Sequence, residues 1–189
     1  MTRREEREYI FKTIFRNDFS EDVDMNEQVD LFMMDVISDM GYTVEAEETD
    51  SESESYGADK SSGMTGKKPG RKKKNKEEDE EKIPDIEFIE KICAVHKDIE
   101  FVRNTAKDIV SKVTELDDII RQYCAGWTPE HMGKAELSIL RLAIYEIKYR
   151  DDVPYGIAIN EAVNLAKAYG DDKAPSFING VLAKVPENI

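Results

Sequence analysis

Apolar residues recur at three- and four-residue intervals over most of this chain, and one long stretch near the front breaks the rhythm. Residues 3–17 place Ile10, Phe11, Ile14 and Phe15 on one face, behind a start that holds Arg3, Arg4 and Arg7. Residues 26–40 repeat the spacing with Val29, Phe32, Met33, Val36, Ile37 and Met40, and Gly41 follows as a stop signal. Both patterns predict amphipathic helices. After the break, Pro84 suits a first helical turn, and apolar positions run through Ile89, Ile92, Val95, Ile99, Val102, Ile109, Val113, Leu116 and Ile120. That run is too long for one straight helix, so two are predicted.

Thr128, Pro129 and Glu130 give a further start signal, with Thr128 as N-cap and Pro129 at the first helical position. From Leu137 to Tyr149 apolar side chains cover most of the circumference, the mark of a helix buried on nearly every side and hence the centre of the fold. A break at 151–154, a helix from Ile157 to Tyr169 closed by Gly170, and a short one from Ser176 to Val185 complete the chain. No strand alternation or repeat appears. The predicted fold class is all-α: about seven helices packed as a compact bundle.

Charge explains the break. Residues 45–59 hold seven acids, 60–76 hold eight bases and 77–81 hold five more acids, with Ser and Gly between them and almost nothing apolar. Such a tract buries too little surface to offset its chain entropy, so 45–82 is expected to be a disordered charged insertion between an N-terminal pair of helices (1–44) and the rest of the domain (83–189). Of the whole-chain net charge of −14, a net of −11 lies outside the insertion. A globally basic nucleic-acid binder is therefore excluded, while a local basic site is not.

The chemistry on offer favours binding. Cys93 and Cys124 lack metal-ligand spacing, and His96 and His131 stand apart from other ligand types and read as surface or partly packed helix residues. Gly63, Gly66 and Gly70 lie in the charged insertion with no preceding strand, and no nucleophile elbow appears. No enzyme and no cofactor is expected. There is no apolar run long enough for a membrane span and no secretory leader, so a cytoplasmic protein is expected. Arg3, Arg4 and Arg7 gather at a helix start whose free N–H groups favour phosphate, or else form a solvated helix start. Phe15, Tyr169 and Phe177 read as core or as stacking platforms, and Trp127 reads as packing.

The C-terminal half carries a resemblance. Glu136 to Ile147 (ELSILRLAIYEI), Asp152 to Tyr155 (DVPY), Ile159 to Gly170 (INEAVNLAKAYG) and Phe177 to Leu182 (FINGVL) occur in the order and spacing of the NusB transcription antitermination family, and Arg4 to Glu8 resembles its helix-start arginine motif. The resemblance implies two packed helical subdomains. It implies binding of boxA, a short single-stranded element of nascent ribosomal RNA, together with NusE, a protein shared with the small ribosomal subunit. The two would help assemble an antitermination complex on RNA polymerase. Arg3, Arg4 and Arg7 would contact phosphates, Phe15, Tyr169 and Phe177 would flank bases, Lys167 and Asn179 would complete the surface, and Glu136 would meet NusE.

This chain departs from the family at Ser176, where a basic residue is common, and at Lys173, where an acid is common. Asn179 has a second reading, with its side chain bonding the backbone near Gly180. Glu161 is expected to pair with Arg141. Two other readings stay open: a helical scaffold that binds protein without RNA, and a domain detached from a ribosomal RNA methyltransferase. The resemblance also admits a homodimer that covers the RNA surface.

Overall fold

The computed structural model describes residues 1–19, 24–42, 85–124, 126 and 128–189. Among these are eight α-helices, one short 3₁₀ turn at Pro129–His131 and no strand: α1 (Arg3–Asn17), α2 (Met25–Asp39), α3 (Ile86–Val95), α4 (Lys97–Ser111), α5 (Val113–Tyr123), α6 (Lys134–Tyr149), α7 (Tyr155–Tyr169) and α8 (Ala174–Leu182). The all-α class stands. The insertion at 45–82, Pro84 and Trp127 lie outside the described residues.

Local signals explain the helix ends. Thr2 caps α1 in a reciprocal box, its Oγ1 accepting from the Glu5 N–H while the Glu5 carboxylate accepts from the Thr2 N–H at 2.7 Å. Helix α2 stops at Gly41, which takes φ +83°, and Tyr42 N–H then reaches back to the Ile37 carbonyl. That left-handed closing turn suits a residue without Cβ. The run after the insertion makes three helices, not two. His96 (φ −106°, ψ 93°) is extended between α3 and α4, and Lys112 (φ −108°, ψ 9°) bends the chain between α4 and α5. The His96 turn is held by Tyr42, whose ring lies 4.3 Å from the imidazole and whose hydroxyl pairs with Nδ1 at 3.0 Å. Apolar periodicity continues across both bends, so the spacing does not reveal them.

Two other boundaries differ from the predicted ones. The signal at Thr128 starts only the 3₁₀ turn, because the Thr128 hydroxyl pairs with His131 Nδ1 instead of capping the backbone. Helix α6 begins after Gly133. Pro175 sits inside the first turn of α8, so that helix starts at Ala174 and ends at Leu182.

Helices α1 to α4 pack on one another, as do α5 to α8, and α1 and α4 meet α6 across the middle. Leu137, Ile139, Leu140, Leu142, Ala143 and Ile144 of α6 are all buried, which makes it the central element. Ile144 is fully enclosed, and cutting it to Ala would cost about 2–5 kcal/mol.

Polar groups are buried in α6 too. Arg141 bonds both oxygens of Asp117 at 2.8 and 2.9 Å and Asp18 at 2.7 Å, tying α6 to α5 and to the end of α1. The expected Glu161–Arg141 pair is not formed. At about 100° per residue, Arg141 leaves α6 on a different face from Glu146, and it is Glu146 that feels the charge of Glu161.

Candidate nucleic-acid interface

Helix α1 has two working faces, and the structure separates the three predicted arginines between them. Arg7 turns inward. Its Nε donates to Glu146 Oε1 at 2.7 Å, and each side chain keeps only 11% of its surface exposed. Burial pushes the Glu146 carboxyl above the usual range, and Arg7 opposes that shift. Arg3 is well exposed, bonding Glu6 at 3.2 Å and lying 3.9 Å from Asp152, with its guanidinium over the Phe101 ring. Arg4 is exposed on the other face, beside Glu8.

That second face continues along α1 at helical spacing through Glu8, Lys12, Phe15 and Phe19. Tyr169, the last residue of α7, docks onto it, with its hydroxyl donating to Glu8 Oε1 at 2.5 Å and its ring 4.9 Å from Phe11. Burial and the Glu8 carboxylate raise the Tyr169 phenol, so it stays a donor at neutral pH. Lys12 bonds Glu8 at 2.8 Å, and its Nζ stands 5.8 Å from the Tyr169 ring centre. Phe11 and Phe15 are 5.8 Å apart, and Phe15 and Phe19 meet edge to face at 5.1 Å. The result is a ladder of four rings, Tyr169–Phe11–Phe15–Phe19, with Tyr169 39% and Phe19 63% exposed. Sequence reasoning missed Lys12 and Phe19, although the series 4, 8, 12 and 11, 15, 19 is there to be read.

Two of the remaining predicted residues, Glu136 and Phe177, line a second hollow. Phe177, half-buried, lines an open depression of about 630 Å³ with Met132, Gly133, Glu136, Asp171 and Lys173. The Glu136 carboxylate is wedged between two glycines: a Cβ on Gly133 would stand 2.1 Å from its Oε2, and one on Gly170 3.3 Å from its Oε1. At Gly170 a Cβ would also fall 2.4 Å from the Ala174 Cβ and 2.9 Å from the Ala166 carbonyl. Asp171 accepts from the N–H groups of Lys173 and Ala174 at 2.8 and 2.9 Å, which fixes the start of α8. Lys167 and Asn179 are exposed on α7 and α8. Phe15 and Tyr169 line one hollow and Glu136 and Phe177 another, the two linked where Gly170, next to Tyr169, meets the Glu136 carboxylate, whereas Arg7 points into the body.

Other chemistry is sparse. No group of three or more metal-ligating side chains occurs among the described residues. Cys93 and Cys124 are buried free thiols whose pKa burial raises, so neither is a thiolate at neutral pH. No described helix is long and apolar enough to cross a membrane. The class so defined is an all-helical bundle whose first helix carries an aromatic and basic outer face.

Known proteins place this bundle. Residues 63–187 match the model of the NusB family. The transcription antitermination protein NusB of Lachnoclostridium phytofermentans is 33% identical over 185 residues, 98% of each chain. That of Clostridium tetani is 42% identical over 114 residues, 60% of this chain and 69% of its own. The solved structure of NusB from T. maritima superposes with a TM-score of 0.60 at 22% identity, covering 97% of this chain and 89% of that one, and shows the same fold. The chain belongs to the NusB family.

Proposed function

We propose that this protein is a transcription antitermination factor that binds single-stranded boxA-type RNA in nascent ribosomal RNA transcripts, with NusE, and so helps build the antitermination complex on RNA polymerase. The observation that carries the reading is the ring ladder from Tyr169 to Phe19, exposed at its two ends and anchored in the core through Phe11, with Arg4 and Lys12 beside it. Single strands are held by aromatic stacking and a cationic track, and neither needs a basic protein overall.

In this reading Arg4 and Arg3 meet phosphates at the helix start. Phe15, Tyr169 and Phe177 flank bases, Lys167 and Asn179 line the exit, and Glu136 meets NusE. Arg7, named with the phosphate contacts on sequence grounds, acts beneath the surface by holding α1 to α6 through Glu146. The protein is a binding factor with no catalytic step, and its place is the cytoplasm with the transcript. Its cations are few on a net-negative body, so RNA affinity alone is weak and the partner strengthens it.

The test is a titration of labelled boxA RNA with and without NusE at two salt concentrations. Tighter binding with NusE supports the reading. A dissociation constant that does not move when a bound NusE is present refutes cooperative assembly. Absence of RNA binding in both arms leaves a protein-binding scaffold.

A further inference from the structure

A groove of about 320 Å³ opens between α1 and α2, beside the ring ladder. Phe15, Phe32 and Val36 form its apolar wall, and Lys12, Arg16, Asp35 and Asp39 stand around it. The space is at the low end for ligand sites, enough for one flat ring system. The planar guanidinium of Arg16 lies 4.3 Å above the Phe32 ring and is held there by Asp35 at 2.5 Å. Such a plane is a stacking surface for a base. Asp39 comes one turn after Asp35 on the same helix face, exposed, and its carboxylate makes no hydrogen bond or ion pair to another described residue. It sits at the negative end of the α2 dipole, where a carboxylate gains nothing for the helix.

We propose that this groove is a subsite for one guanine base of the bound RNA strand, with Asp39 as the carboxylate that reads it. A carboxylate offers acceptors only. Guanine presents two adjacent donors, its N1–H and 2-amino group, which match the two oxygens side by side. Adenine and cytosine set an acceptor next to their amino group, and uracil offers one N–H between two carbonyls. An arginine from a protein partner would also fit a carboxylate, but the groove opens on aromatic rings and the Arg16 plane, which suit a flat base. A nucleotide brings a phosphate that Lys12 and Arg16 complement. The groove opens on the Phe15 and Tyr169 rings, so a strand lying on the ladder can place a base in it.

The inference rests on the RNA-binding reading above, and its test separates the two. Labelled boxA-type RNA is titrated onto the full-length protein, each guanine replaced in turn by inosine, which lacks only the 2-amino group. At one position inosine weakens binding by about fivefold or more, as expected when one arm of a bidentate contact is removed. Asp39→Asn, at an exposed site, leaves the circular dichroism unchanged, weakens the guanine RNA by a similar factor and abolishes the distinction between guanine and inosine. If RNA binds and Phe177→Ala weakens it, yet Asp39→Asn still prefers guanine or the unaltered protein prefers it nowhere, the subsite is wrong and the RNA reading stands. If no RNA binds at all, both fall.

Discussion

Replacing Arg7 by Ala should damage stability before it damages RNA binding. The substitution deletes the hydrogen-bonded partner of Glu146, a residue only 8% exposed, and leaves it with the weaker influence of Arg150. Breaking a buried ion pair from one side costs about 3–5 kcal/mol, because the surviving charge is left uncompensated. Replacing both partners, as Arg7→Met with Glu146→Leu, should recover most of that loss. Urea unfolding followed by circular dichroism measures the single and double variants on one cycle. Acid gives an independent check of sign. The Glu146 pKa is raised in the folded state, so this carboxyl favours folding below its unfolded pKa of about 4.3 and loses that contribution as pH rises through the folded value. In Arg7→Ala the main opposing cation is gone and Arg150 alone remains, so the deficit should be largest at neutral pH and narrow as the solution is acidified toward the unfolded pKa. A variant that unfolds like the parent but loses RNA affinity and salt dependence would refute this account and return Arg7 to the phosphate contacts.

Four further outcomes are expected. Arg4→Ala with Lys12→Ala should keep helix content and flatten the logarithmic salt dependence of RNA binding by about 0.7 for each phosphate no longer neutralised, read from titrations at several salt concentrations. Phe177→Ala should weaken RNA binding by about 1–3 kcal/mol with little change in melting temperature, whereas a stability loss of about 3–5 kcal/mol with normal RNA binding would mark it as core. Gly170→Ala should destabilise by about 1–3 kcal/mol through its clash with Ala174 and the Ala166 carbonyl, while Gly133→Ala meets only the end of the Glu136 side chain and should shift NusE affinity with the fold intact, both read from thermal melts and a NusE titration. Deleting residues 45–82 should leave the circular dichroism of the rest unchanged, and limited proteolysis of the full chain should cut there first; unfolding of the deletion variant would show that the insertion belongs to the domain.

Much of the architecture was legible because apolar periodicity and helix stops are local signals. Ile10 and Ile14, Val29 and Met33, and the ring of apolar residues on α6 all lie where the spacing put them. What the spacing could not reveal was any decision made by distant partners. The bend at His96 depends on Tyr42, which is 54 residues away and packs onto it from the end of α2. The failed cap at Thr128 follows from its competition with His131. Arg141 pairs with Asp117 and Asp18 instead of Glu161 because the helical faces are set by packing across three elements. The arginines show the same limit: Arg4 and Arg7 are three residues apart and look alike as sequence, yet one is solvated and the other is closed off against Glu146.

An acidic protein proposed to hold a polyanion must limit the opposition of its own carboxylates, and on the ladder face two of them are paired while Asp39 is not. On the ladder face Glu8 is occupied by Lys12 and by the Tyr169 hydroxyl, and Asp35 by Arg16, so these acids orient cations and rings and present less bare charge to a strand. The Glu8 carboxyl is accordingly held below its usual pKa, chiefly by Lys12. Such exposed pairs add little stability on their own, but each fixes a cation over an aromatic plane. The cost is that a phosphate must share each cation with a carboxylate already in place, which weakens binding by the isolated protein. On the proposed reading, a second component that brings its own cations or contacts is expected to make a large relative difference, so this charge arrangement predicts RNA binding that is cooperative with a partner.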